Sequence, residues 1–468
     1  MTSVVFLCVS IAVSAVAGDR TAFVVGDASA KHDFRSPGGG MWYETSMGRV
    51  TFTFRETSRT ADAVLLADTS RNIWIRLTEK KVEFSTDEVK YAPLGQGSWV
   101  DYKSLPDVAL PKPTDGKVRL IYFIPTDRKP TANYEAKIRT LMQFVADFYR
   151  DDLRAKGYKT DGPQFETANG KIVVHLVKGS KNARYYNGHP NYDDGKQFDL
   201  VLKEVPQTIF EPTTQMGVIF TEVYESEPAP AEWNGGIARG GARSDDGGTG
   251  FFSAWLLQDE FCPTTVAGLR RVFADTTPVK GRTAMGHGGK DSPRFEFVED
   301  GVGAVIHELG HALGLPHDWD PRSIMGSGFR DLRANVLPNA GLPKVYFIPE
   351  SARMLMSHRA LNPALDRTDV TPPTCKAEVL GKAVRGMTTI GLKVTVTDDK
   401  ALRAMLVYVE NAGSDYVAGG QELSGTEQTF TLDLKLHDFK RGPMMVNVTV
   451  SDQGGNRTTT RIPVGQKR

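Results

Sequence analysis

One stretch gathers metal-ligating and acid–base residues at fixed spacing: His307-Glu308-Leu309-Gly310-His311-Ala312-Leu313-Gly314-Leu315-Pro316-His317. Two histidines four residues apart on a helix lie one above the other on the same face, so both imidazoles can reach one ion. Val302, Val305, Ile306, Leu309 and Leu313 give that helix a side to bury. Gly314 can adopt the left-handed conformation that ends a helix and turns the chain back, which delivers His317 as a third ligand. Three neutral imidazoles leave a tetrahedral Zn²⁺ one open position for water, the arrangement of a catalytic rather than a structural site. Zinc lowers the pKa of such a water to about 7 and polarises a carbonyl. Glu308, adjacent to a ligand, is placed to take the water's proton and to hand it to a departing amine.

The elements that must position these residues follow from the apolar pattern. An apolar strand over residues 118–124 is followed by a long amphipathic helix, on which Tyr134, Ile138, Leu141, Met142, Val145, Phe148, Tyr149 and Leu153 recur at three- and four-residue steps. Further apolar runs at residues 172–177, 216–220 and 251–257 read as buried strands, so residues 116–366 read as one long helix on a mixed sheet beside the histidine segment. Before it, residues 21–110 read as short alternating strands (Val50, Phe52, Phe54; Ile73, Ile75, Leu77; Val82, Phe84), which predicts a small β-sandwich, with the proline-marked residues 106–115 as linker. After Pro372-Pro373, residues 370–468 alternate regularly (Ile390, Leu392, Val394, Val396; Phe430, Leu432, Leu434, Leu436; Val446, Val448, Val450), which predicts a second antiparallel sandwich.

Composition narrows the class. The chain has 468 residues, too many for one hydrophobic core, and is 40% hydrophobic and 24% charged, as folded protein is. With 57 basic against 56 acidic residues and no basic cluster, nucleic acid is excluded as the expected partner. Residues 4–16 are apolar and end in the small-residue pattern Ala15-Val16-Ala17, so residues 1–17 read as a signal peptide cleaved after Ala17. No Lys or Arg precedes that run, a departure from the usual signal. The run is too short to span a bilayer and no other stretch is a membrane anchor, which points to a secreted, extracellular or periplasmic mature chain. Cys262 and Cys375 are the cysteines left in it, and their distance is not readable from sequence.

The histidine segment resembles the metzincin peptidases through HExxHxxGxxH together with the methionine turn Ser323-Ile324-Met325-Gly326. The spacing of that turn is similar to matrixins, whereas Asp318 directly after the third histidine looks like the adamalysin and reprolysin group. Over residues 117–365 the resemblance implies a five-stranded sheet and two helices above a cleft, then a lower subdomain with a helix at residues 350–359. It implies zinc on His307, His311 and His317, Glu308 as general base, and Met325 as an apolar floor that makes no bond to the metal. It also implies a substrate lying along the sheet's edge strand, for which Gly250, Phe251, Phe252 and Ser253 are the candidates, a central buried strand being the other reading of them. Residues 51–99 are similar to laminin-G-like modules, and residues 448–457 resemble the last hairpin of bacterial immunoglobulin-like (Ig-like) modules. No cysteine in the first domain supports a matrixin-type switch, and no tyrosine after Met325 supports a fifth ligand.

Two weaker candidates remain. His287, in Met285-Gly286-His287-Gly288-Gly289, is a cleft-flanking or second-metal candidate against the plainer reading of a solvated turn. Asp245 and Asp246 lie in a glycine-rich loop that could hold a structural Ca²⁺, although the spacing is not that of an EF-hand. The expected function is a secreted zinc-dependent endopeptidase acting on protein or peptide substrates, with the β modules holding it near extracellular matrix or cell-surface polysaccharide. Its rivals are an adhesion or carbohydrate-binding protein with an inactive metzincin-like domain, and a zinc hydrolase that cuts something other than peptide. Intact Glu308 argues against the first rival.

Overall fold

The computed structural model describes residues 20–26, 32–38, 40–68, 73–108, 115–225, 238–284, 289–337, 341–382, 387–411, 414–437 and 444–464. The expected signal segment and His287 lie outside them. The described residues fall into two compact units, divided near residue 110.

The first unit is a closed barrel of eight antiparallel strands, β1 (Ala22–Val25) through β8 (Ala92–Trp99), each paired with its neighbours in sequence. This corrects the expected N-terminal sandwich. Alternation tells which side chains face inward, but closure depends on β1 pairing with β8, where Phe23 stands opposite Trp99. Phe23, Phe34, Trp42, Phe54, Leu66 and Leu77 fill the interior. A buried bidentate pair, Arg35 to Asp33 at 2.7 Å on both arms, is completed by the Thr45 hydroxyl on the same carboxylate.

The second unit starts with a five-stranded sheet. Its strands are β9 (Val118–Ile124), β10 (Val174–Lys178), β11 (Met216–Thr221), β12 (Ala238–Ala242) and β13 (Gly248–Ser253), in the spatial order β10-β9-β11-β13-β12. All neighbours are parallel except β12, which runs antiparallel along the edge. Helix α1 (Tyr134–Ala155) covers one face, burying Ile138, Leu141, Met142, Val145, Phe148, Tyr149 and Leu153 of the expected set, with Tyr134 only partly covered and Lys137 buried beside them. Helix α2 (Arg294–Ala312) lies beside β12 and β13 and carries the first two histidines. A shorter helix, α3 (Pro349–Leu355), follows, with proline in its first turn where no amide hydrogen is needed.

The chain then forms two facing antiparallel sheets. One holds β14 (Thr374–Leu380), β15 (Thr389–Thr397) and β18 (Glu427–Lys435) in the order β14-β15-β18. The other holds β16 (Leu402–Asn411), β17 (Ser414–Glu422), β19 (Met444–Asp452) and β20 (Arg457–Pro463) in the order β17-β16-β19-β20. Their inward residues make one core, including Leu392, Val394, Val407, Leu434 and Val448. Leu406 and Val417, on the other faces of β16 and β17, join the main core of the sheet-and-helix region instead. The sandwich is therefore packed into the same unit as the histidine segment. Cys262 and Cys375 are both free, Cys262 within the main core.

Candidate metal centre

The centre is built on the end of α2. Its last turn closes through two backbone hydrogen bonds, Gly314 N–H to His311 O and Leu315 N–H to Gly310 O, both 3.0 Å, with Gly314 at φ +91°. That pattern is the Schellman termination, and it requires the left-handed residue that glycine supplies most readily. The chain turns back there and brings His317 against the two helical histidines.

Each ring is held by its outer nitrogen. His307 Nδ1 lies 2.6 Å from the Ile324 carbonyl, His311 Nδ1 lies 2.7 Å from the Leu315 carbonyl, and His317 Nδ1 lies 2.7 Å from the Asp415 carboxylate. These partners can only accept, so the protons sit on Nδ1 and the three Nε2 atoms present lone pairs. His311 Nε2 stands 3.1 Å from the Nε2 of both His307 and His317. Tetrahedral zinc at about 2.0–2.1 Å from each nitrogen would set them roughly 3.3 Å apart. Three converging lone pairs repel unless a cation lies among them, so the donor set fits a zinc ion. Among the described residues these three histidines are the cluster able to hold a metal. Burial, reinforced by the neighbouring histidines, lowers the His307 imidazole to about 3 and the His311 imidazole to about 4, so both are neutral at pH 7, as metal ligation requires. His317 is raised, first by its hydrogen bond to Asp415 and against the effect of burial.

Met325 lies beneath, fully buried, its sulfur so close under α2 that a Cβ on Gly310 would sit 2.5 Å from it. The turn it belongs to also positions a ligand, through the Ile324 carbonyl on His307. Asp318 ties this turn to the third histidine: its carboxylate accepts from the Ser323 hydroxyl, and its amide donates to the Met325 carbonyl at 3.2 Å. Burial pushes Asp318 up to about 6.

Glu308 projects from the same helix into a cavity of about 220 Å³ bounded by Val305, Phe329, Ala238 and Trp255. Burial pushes its carboxyl up to about 7, while the Gly240 amide, hydrogen-bonded to it, pulls the other way. Gly240 is on β12, where the strand crosses α2 so closely that a Cβ would sit 1.9 Å from the Glu308 carbonyl oxygen. On the other side of the histidines a larger cavity of about 740 Å³ opens between β12, His311 and the sandwich residues Tyr408, Glu410, Asp415 and Met445.

Two expected features are corrected. Gly250, Phe251, Phe252 and Ser253 do not form the edge: β13 is hydrogen-bonded to β11 on one side and β12 on the other, and the edge is Ala238–Ala242. The edge was missed because Ala-Arg-Gly-Gly-Ala has no apolar alternation. The calcium reading of Asp245 and Asp246 has no support, since Arg359 pairs with Asp246 at 2.6 Å and the Arg457 amide donates to Asp245 at 3.1 Å. Sequence reasoning also missed Asp415, 98 residues beyond the histidine it holds.

Comparison with known proteins agrees with this placement. A model described as "Putative peptidase family" matches residues 232–341, the span from just before β12 past the methionine turn. No curated protein matches the sequence. Crystal structures of OgpA from Akkermansia muciniphila share the fold: the wild-type protein matches with a TM-score of 0.50 at 16% identity, over 77% of this chain and 96% of that one. A catalytically inactive OgpA in complex with an O-glycopeptide substrate, glycodrosocin, matches with a TM-score of 0.50 at 15% identity, over 77% of this chain and 95% of that one. The residues matched by a peptidase family model thus enclose the histidine cluster, Glu308 and the sheet edge, and together with the shared fold they support a peptide hydrolase of the metallopeptidase type.

Proposed function

We propose that this chain is a secreted zinc-dependent endopeptidase of the metzincin kind, acting on peptide bonds of protein substrates outside the cytoplasm. The observation that carries the reading is the convergence of three Nε2 lone pairs, each fixed from behind, beside the partly buried carboxylate of Glu308. Zinc, when bound, supplies Lewis acidity toward the scissile carbonyl and lowers the pKa of a water in its open position. Glu308 takes the proton of the attacking water and delivers it to the departing amine, and the Gly240 amide holds its carboxylate in place for both transfers. An extended peptide pairs along β12, the edge strand among the described residues, its side chains entering the cavities beside the histidines. Glycopeptides belong in the first substrate panel, because OgpA binds one on the same fold.

The test measures zinc content and hydrolysis together. Glu308→Ala should keep one zinc per chain and lose about 10²–10⁴-fold in rate, equal to roughly 3–5 kcal/mol of barrier. His311→Ala should lose zinc and activity together. A parental protein without zinc, or a Glu308→Ala variant cutting peptides at the parental rate, rejects the proposal. An adhesion role with an inactive centre predicts zinc binding without hydrolysis of any panel member.

A further inference from the structure

The three ligands differ in what holds them. His307 and His311 lean on carbonyls of their own region, at residues 324 and 315. His317 lies beyond the helix end, half exposed, where nothing in the loop fixes its ring. Strand β17 of the sandwich does so instead. Its Asp415 Oδ1 meets His317 Nδ1 at 2.7 Å, its second carboxylate oxygen faces the His317 amide at 3.4 Å, and its Val417 amide donates to the His317 carbonyl at 2.9 Å. One strand therefore grips both the backbone and the ring of the third ligand.

A second contact from the sandwich aligns the same segment. Arg457, on β20 and buried, donates to the Leu313 carbonyl at the end of α2 at 2.9 Å and to the Met354 carbonyl at 3.3 Å. A cation at a helix C-terminus satisfies its outward-facing carbonyls and complements its dipole. Both ends of the turn from Leu313 to His317 are thus held by one β module.

Resting on the zinc reading, we propose that Asp415 is a positioning residue of the metal centre, which makes the C-terminal sandwich a working part of it. A carboxylate behind a ligating imidazole fixes its tautomer and ring orientation and raises its basicity toward the metal, and removing such a partner typically costs about 10–100-fold in metal affinity. A simple staple between modules would behave differently. A partly exposed pair contributes little to folding, so its loss would barely move the melting temperature and would leave the zinc affinity alone.

The experiment is competition with a fluorescent zinc chelator on the full chain, beside thermal melting of the zinc-free proteins. Asp415→Ala is expected to weaken the zinc Kd about 10–100-fold while its zinc-free form melts close to the zinc-free parent. Asp415→Asn, which keeps an acceptor oxygen, should fall between the two. An Asp415→Ala protein with the parental zinc Kd overturns the inference, as does one whose zinc-free form has lost its cooperative melt. His311→Ala is the control that separates the two failures: if it binds zinc as the parent does, or the parent binds none, the zinc reading fails and not the role of Asp415.

Discussion

The two β regions look alike in sequence and are used differently. Both alternate apolar and polar residues between turn signals, and both flank the histidine-bearing segment. The N-terminal one closes on itself: β8 returns to β1, every strand has two partners, and its large side chains meet inside the barrel. The C-terminal one stays open, and its outer face is invested in the peptidase region through Leu406 and Val417 in the main core, Ser451 on Ser357, and Arg457 and Asp415 at the helix end and third histidine. Alternation shows that a strand has a face to bury. It does not show against what.

The sharpest way to break this comparison is deletion. Removing residues 370–468 strips Arg457 and Asp415 and exposes the core positions that Leu406 and Val417 cover, so the remainder should lose zinc retention and a cooperative melt. Removing residues 1–110 takes out a unit whose core is its own, and about one zinc per chain should remain. Zinc stoichiometry and calorimetry of both truncations decide it. A zinc-replete, cooperatively melting chain without the sandwich would put that module back among dispensable appendages.

Point substitutions sharpen the same contrast. Trp42 fills the barrel with no exposure and donates its indole N–H to Glu56 at 2.8 Å. Trp42→Ala should cost about 3–5 kcal/mol of barrel stability and leave the zinc Kd unchanged. Arg457→Met keeps much of the volume but drops the bonds to Leu313 and Met354, charge-assisted contacts each worth about 1.5–3 kcal/mol. Here stability and zinc affinity should fall together, because the helix end carrying His311 loosens. Melting and chelator competition on both variants check the pairing, and a Trp42→Ala chain with weakened zinc binding would contradict it.

What was legible follows from range along the chain. His307, Glu308, His311, Gly314, His317 and Met325 lie within 19 residues, so one helix, the glycine turn that ends it and the loop that follows carry the spacing into one site. Helix α1 was equally readable, since 3.6-residue periodicity is a local property. Asp415 was not, because it reaches His317 only after two sheets have packed. The edge strand β12 was hidden for the opposite reason: Gly240 is demanded by close passage over α2, and together with Gly241 it erases the pattern that marks a strand. Barrel closure rests on the β1–β8 pairing, which alternation within a strand cannot encode.

The smallest expected effect lies at the end of β19, at Asp452. Its carboxyl is pushed up to about 7, first by burial, while Asn456 hydrogen bonds hold it down and the charges of Asp369 and Asp398 raise it further. A carboxyl whose folded pKa lies above its unfolded value near 4 contributes stability that is fully present below about pH 4 and lost as pH rises through about 7. At pH 5 Asp452 is neutral and the neighbouring carboxylates cost it nothing, whereas at pH 8 it is ionised and repelled by the charge of Asp398. Asp398→Asn keeps the oxygen that accepts from the Lys400 amide at 2.9 Å and removes that repulsion. Relative to the parent, the zinc-free variant should therefore melt higher at pH 8 than at pH 5. Melting temperatures of the two proteins at both pH values measure the difference directly. An equal offset at the two pH values would mean that Asp452 keeps one charge state between them, against a carboxyl raised to about 7.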